Sequence, residues 1–282
     1  MFDEKELGNL ILSDDFITTD KYLLHARECD FCHYLKSDLF LRSRTWRSEA
    51  TGSFLRYRKL PSETNLIVGH SDDSFGRAKQ AVAHLKGFKS IFGVNLKKSG
   101  LLSTPIPLGL TNPTNESALH EVFGNTDLIR KVWQDAPSQT AYSRSIYANF
   151  TIETNIAERL PLKKLLIQKN VGFHEAEVSL TGRAEYLRRI RQANFTVCPE
   201  GNGVDTHRIW EALYMQSIPI VKSNPILNPL LENLPVVIVN KWSQIFQEDF
   251  LMSHWNNLQD TVFPVSKISA TYWNQIFLNT HN

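Results

Sequence analysis

Six polar side chains suited to gripping a phosphorylated ligand stand close together: Glu200, Asn202, Asp205, His207, Arg208 and Glu211. Gly201 and Gly203 interleave with them. Lacking Cβ, these glycines let backbone N–H groups approach a ligand closely. A helical pattern runs from about Asp205 to Met215, and Asp205 or Asn202 is suited to cap it. Its amino end offers unpaired N–H groups and the positive end of a dipole, which suits an anion such as a diphosphate. Arg208 falls in the first turn, near such a phosphate. Glu211, three residues on, shares its face and reaches towards a ribose diol. The same residues also suit a simple turn before a helix, with Arg208 and Glu211 as a surface ion pair worth little. Neither a G-x-G-x-x-G nor a P-loop string occurs.

The elements around this loop follow from hydrophobic pattern. Phe195–Cys198 reads as a buried strand and Ile218–Val221 as another, so the loop leaves the carboxyl end of a strand, where open α/β sheets bind ligands. Between them Ile209, Ala212, Leu213 and Gln216 have the spacing of a sheet-facing stripe. Further on come a helical stretch at Ile226–Leu234, a strand at Val236–Val239, a helix from about Trp242 and a packed terminal helix. Upstream, Glu185–Gln192 is a basic helix whose Arg188, Arg189 and Arg191 read as a solvated face. Arg183 precedes it, placed to approach a nucleotide. In the amino-terminal half, strands are expected at Leu66–Val68, Ser90–Val94 and Ser145–Phe150, with a helix at Phe75–Lys86, the spacing of βαβ units. Leu101–Asn112 holds too much proline for a central strand and reads as an irregular crossing. Glu153–Lys169 is helical in pattern despite Pro161 and marks the best domain boundary.

Residues 198–221, CPEGNGVDTHRIWEALYMQSIPIV, resemble the donor-binding motif of exostosin-like glycosyltransferases, a P-x-G-x-G-x-D-x-x-R-x-W-E-x-L block followed by an I-P-I-V strand. Gln216-Ser217 stands where that family more often has a glycine. The resemblance implies an α/β, GT-B-like fold of two Rossmann-like domains with parallel sheets facing across a cleft. It divides the chain into an acceptor-side domain (1–160), a nucleotide-sugar-binding domain (161–260) and a terminal helix (261–282) packing back on the first. It implies that Arg208 contacts the diphosphate and Glu211 the ribose, with Glu200, Gly201, Asn202, Gly203, Asp205 and His207 around them. Asn149-Phe150-Thr151, with Asn155 and Arg159, resembles a further family feature at the domain junction, where an arginine reaches the diphosphate. A helix-surface Arg159 is the alternative.

Sugar transfer also needs a base for the acceptor hydroxyl and neutralisation of the leaving diphosphate. No Asp-x-Asp occurs, which favours a metal-free route relying on Arg and the helix terminus. Gly69-His70-Ser71-Asp72-Asp73-Ser74 follows the Leu66–Val68 strand, and its adjacent carboxylates and imidazole can tune one another. Asp72 is the first candidate for the base, then His70 or Asp73; either carboxylate could instead cap the Phe75 helix. The family implies inversion at the anomeric carbon. Two rivals share the loop: a non-catalytic nucleotide-sugar-binding subunit, and a phosphotransferase using a CDP-polyol donor.

Global properties bound the reading. At 282 residues, 42% hydrophobic and 21% charged, the chain is globular with one or two domains. A net charge of +2 is too mild for a nucleic-acid binder. The amino terminus lacks a signal-peptide pattern and no transmembrane stretch is evident, so a cytoplasmic protein is expected, with peripheral membrane association open. The expected partners are a nucleotide-sugar donor and a glycan or glycolipid acceptor, with no cofactor and no metal. Cys29-Asp30-Phe31-Cys32-His33 spells a haem-attachment string, yet haem attachment needs export and a zinc site would need further ligands. Cys198 reads as an apolar filler. Sequons at Asn115, Asn149 and Asn194 look like chance matches, two of them on expected buried strands.

Overall fold

The computed structural model describes residues 23–27, 65–69, 90–96, 103–111, 118–175, 178–259, 263–269, 272–273 and 275–276. The chain divides into two compact units, one of Ser13–Leu108 with Trp273–Asn282, the other of Met1–Leu12 with Gly109–Tyr272. His70, Asp72, Asp73, Cys29, Cys32, Asn115 and the expected helix at Phe75–Lys86 lie outside the described residues.

The first unit carries a parallel sheet of β1 (Leu23–Arg27), β2 (Asn65–Gly69), β3 (Ile91–Gly93) and β4 (Ser103–Pro105), hydrogen-bonded in that order. Two of these strands differ from the sequence reading. Nothing in the alternation of LLHAR announces β1. The proline-rich Leu101–Asn112 segment does contribute β4, because an edge strand tolerates Pro105, whose missing N–H would face no partner. The pairing carries on past Pro105, with Ile106 N–H donating to Gly93 O at 3.1 Å.

The second unit begins its described part with helices α1 (Ala118–Phe123) and α2 (Thr126–Asp135). It then alternates β5 (Ile146–Asn149), α3 (Ile156–Gln168), β6 (Phe173–His174), α4 (Leu180–Arg191), β7 (Phe195–Val197), α5 (His207–Tyr214), β8 (Ile218–Lys222), α6 (Leu227–Leu231), β9 (Val237–Val239) and α7 (Phe250–Gln259). All five strands are parallel, in the order β6-β5-β7-β8-β9. The sheet therefore takes in β5, upstream of residue 161. Both units are thus built on parallel sheets, and the described chain is mixed α/β, compatible with a Rossmann-like fold.

Period-two alternation sorts the second sheet's side chains between two layers. Ala148, Phe195, Val197, Ile218, Ile220, Val237 and Val239 join Leu162 and Leu166 of α3, and Leu251 and Trp255 of α7, in one buried cluster. Pro161 sits inside α3 without ending it. α5 buries Ile209, Ala212 and Leu213, the expected stripe. Gln216 does not continue it: the helix stops at Tyr214, and Gln216 takes the left-handed conformation at φ 61°. Glycine is favoured at such a position, which accounts for the glycine usual there in the resembled family. Asn149 and Asn194 are both buried, and Asn194 receives hydrogen bonds from Ser143 and Ser145, so neither sequon is open to glycosylation.

Candidate functional site

Numbered by appearance, the strands of the second sheet run 2-1-3-4-5, so the chain crosses to one side after β5 and to the other after β7. Ligands in such sheets bind outside the carboxyl ends of the two strands flanking this switch point. Here those ends lead into residues 150–155 after β5 and 198–206 after β7. The second of these loops is the one singled out by its residue types.

Arg159 ties the two loops together. Projecting from the first turn of α3, it is only 4% exposed. Its Nε donates to Glu200 O at 2.8 Å, Nη2 to Pro199 O at 3.3 Å, and Nη1 to Thr151 O at 2.7 Å and to Thr154 Oγ1. Asn155 Nδ2 adds a bond to Gly201 O at 3.3 Å, while its Oδ1 caps α3 at Glu158 N–H. Arg159 is therefore no surface residue of its helix. It has no carboxylate partner among the described residues, and its pKa is lowered to about 10 by burial and by the nearby Arg208. Arg159 and Arg208 thus both bring positive charge to the switch point.

Gly201 is required by this arrangement. A Cβ there would sit 2.8 Å from Arg159 Nη2, and the guanidinium is already committed to backbone carbonyls. Gly201→Ala is expected to lower stability by about 1–3 kcal/mol, the usual cost of overpacking. Urea unfolding tests it; an unchanged midpoint would mean that the loop gives way without cost.

The remaining loop residues have separate tasks. Glu200 Oε1 accepts from Asn224 Nδ2 at 2.9 Å, and Gly201 N–H donates to Gly203 O at 3.0 Å, closing a tight turn. Asn202 is exposed. Asp205 is buried, and its carboxylate accepts the Trp210 indole N–H at 2.9 and 3.2 Å. Trp210 is fully buried behind the motif. His207 Nδ1 meets Gly109 O at 2.7 Å. Neither Asp205 nor Asn202 is the N-cap of α5. That position belongs to Thr206, whose side chain makes no capping bond. By contrast Asn125, Asn155 and Ser179 cap α2, α3 and α4 with their side chains. Thr206 Oγ1, Arg208 Nε and Asn149 Oδ1 are buried without hydrogen-bond partners among the described residues, and all three lie on segments bordering the switch point. Buried polar atoms of this kind ordinarily find a partner.

A second cluster lies between α4 and α5. Arg183 (3% exposed) and Glu211 (5%) form an ion pair of 2.5 Å, Nη2 to Oε1. Tyr186 OH donates to Glu211 Oε2 at 2.6 Å. Burial pushes the Glu211 carboxyl up, but the Arg183 charge and the hydrogen bonds from Arg183 and Tyr186 bring it below its ordinary value. Tyr186 is held well above the usual phenol range, by burial first and then by Glu211. Sequence reasoning missed Tyr186, although its i+3 spacing from Arg183 on a helix was a usable signal. Arg191, expected on the solvated face, departs from that expectation. Arg191 is buried, donates to Ala136 O, and stacks over the Trp133 ring with Cζ 4.6 Å from its centroid. Arg188 and Arg189 are the solvated pair, both bonded to Glu185. Cys198 is buried and its thiol is pushed up to about 12 by burial, a filler without nucleophilic character.

Residues 130–260 match the family model of the RXYLT1 C-terminal domain. The matched span runs from α2 into the end of α7 and contains both loops of the switch point and the α4–α5 cluster. That family is exostosin-related, so the match lends loose support to the resemblance carried by residues 198–221. None of the curated proteins matches the chain.

Proposed function

We propose that the chain is a GT-B-type glycosyltransferase whose second sheet holds a nucleoside-diphosphate sugar at the β5/β7 switch point. The observation that carries this is the pairing of Arg208 with a buried Arg159 that has no carboxylate partner among the described residues. Such a site favours a compact dianion, and a diphosphate supplies oxygens for Arg208 Nε, Thr206 Oγ1 and the amino end of α5. In the reaction, the acceptor hydroxyl attacks the anomeric carbon as the bond to the diphosphate breaks, with inversion. The proton passes to a base, for which Asp72 is our candidate ahead of His70 and Asp73. Charge on the departing diphosphate is met by Arg208 and the α5 terminus, with no metal required. The acceptor is a glycan or lipid-linked saccharide.

A thermal-shift panel of UDP-, GDP- and CDP-sugars beside CDP-glycerol tests the reading, since a ligand that binds only the native state raises the melting temperature. A sugar nucleotide is expected to raise it and to be slowly hydrolysed in the absence of acceptor. A shift with CDP-glycerol alone would overturn sugar transfer. Binding with neither hydrolysis nor transfer to any acceptor would leave only a nucleotide-binding subunit.

A further inference from the structure

Arg208 and Glu211 share one face of α5, three residues apart. Arg183 and Tyr186 share one face of α4 at the same spacing, and both meet Glu211. The carboxylate of Glu211 is spoken for by α4: Arg183 takes Oε1 and the Tyr186 hydroxyl takes Oε2. Arg183 is itself fixed, donating to Phe123 O at 3.3 Å and lying over the rings of Phe123 and Tyr186, with Cζ 5.5 and 5.0 Å from their centroids.

We propose that Glu211, Tyr186 and Arg183 form a positioning unit for Arg208, and that Glu211 does not hold the donor ribose; this rests on the reading that Arg208 receives the diphosphate. The physical argument is one of competition. Left alone on α5, Glu211 would pair with Arg208 and cancel the charge the diphosphate needs. Arg183 claims that carboxylate instead, so the Arg183–Glu211 pair is neutral and Arg208 keeps its positive charge for a ligand. With its O–H donating to Glu211, the Tyr186 oxygen keeps lone pairs that can accept from Arg208, and Tyr186 and Glu211 both favour the Arg208 charge. A carboxylate that is 5% exposed and bonded through both oxygens is also poorly placed to take up a ribose diol.

Pyrophosphate is the decisive probe, because it has the diphosphate and no ribose. Calorimetry on the full chain would compare wild type, Tyr186→Phe, Glu211→Gln and Arg208→Lys. The ligands would be pyrophosphate, the nucleoside diphosphate that binds wild type, and its 2′,3′-dideoxy analogue. The expected result is that Y186F and E211Q each lose about tenfold in affinity for all three ligands, and that neither loses more when combined with R208K. Loss confined to the ligand carrying the ribose diol would overturn the proposal and return Glu211 to the ribose, as would pyrophosphate binding as tight as wild type in both variants. If E211Q fails to fold, Y186F decides the same question. Wild type that binds neither pyrophosphate nor any nucleoside diphosphate would overturn the donor-site reading, and this proposal with it.

Discussion

Glu211→Gln is expected to be among the most destabilising single substitutions in the second unit, at about 3–5 kcal/mol, because it leaves the Arg183 guanidinium buried and unpaired. For a unit of this size that corresponds to a fall in melting temperature on the order of 10 °C. Removing both charges should cost far less. The double variant Arg183→Met with Glu211→Leu deletes the desolvation penalty together with the attraction and is expected to melt much nearer wild type. The pH dependence has a definite sign. The folded carboxyl of Glu211 lies below its unfolded value of 4.5, so its contribution is fully present above about that pH and is lost as pH falls through the folded value. The gap between wild type and E211Q should therefore be flat from about pH 8 to pH 6 and narrow in acid. Scanning calorimetry of the three proteins from about pH 8 down into acid measures it. A gap that persists undiminished in strong acid, or a loss under about 1 kcal/mol, would show that the pair does not stabilise the fold.

How far the molecule could be read beforehand depends on whether the deciding interactions are local. β7, the glycine loop, α5 and β8 were legible because each announces itself within a few residues: an apolar run, two glycines, a helical stripe and a second apolar run. The same stripe failed at Gln216, where spacing continues but the backbone does not; a left-handed turn had already ended the helix. β4 was obscured by Pro105, since proline speaks against a central strand and the sequence does not say which strands are edges. The two-residue β6 is shorter than any periodicity, yet its place beside β5 creates the switch point on which the candidate site rests.

The buried arginines show the same division from the other side. Arg159, Arg183 and Arg191 all sit on helices, where spacing alone does not announce burial. What buries them comes from distant segments: the carbonyls of residues 199–200 for Arg159, a carboxylate on α5 for Arg183, and Ala136 with Trp133 for Arg191. Guanidinium groups accept such burial because their planar fork bonds several carbonyls at once while the ring faces of neighbours cover the rest. The residue types of the loop therefore point to an anion site, whereas the surroundings of these arginines emerge only from tertiary packing.

Arg208→Ala should have the largest effect on ligand binding. Loss of a charge-assisted, bidentate contact to a diphosphate costs about 1.5–3 kcal/mol, so nucleoside-diphosphate affinity should fall by about 10–100-fold. The effect on turnover should be larger, about 10²–10³-fold, because charge builds on the diphosphate as the sugar leaves and a preorganised donor matters most at that point. Arg208→Lys separates charge from geometry: it keeps the cation, loses the fork, and should fall between wild type and alanine. Stability should change far less. Arg208 and Arg159 repel each other, and this repulsion helps to hold the Arg159 pKa down at about 10. Removing Arg208 relieves it but also gives up the attraction of Tyr186 and Glu211, which holds the Arg208 pKa above its ordinary value, so the ligand-free protein should lose only a little stability. Weakened binding beside a small change in stability would mark a residue held in place for its ligand. The contrary pattern, a collapsed melting temperature with unchanged affinity in the folded fraction, would make Arg208 a structural residue and move the diphosphate elsewhere.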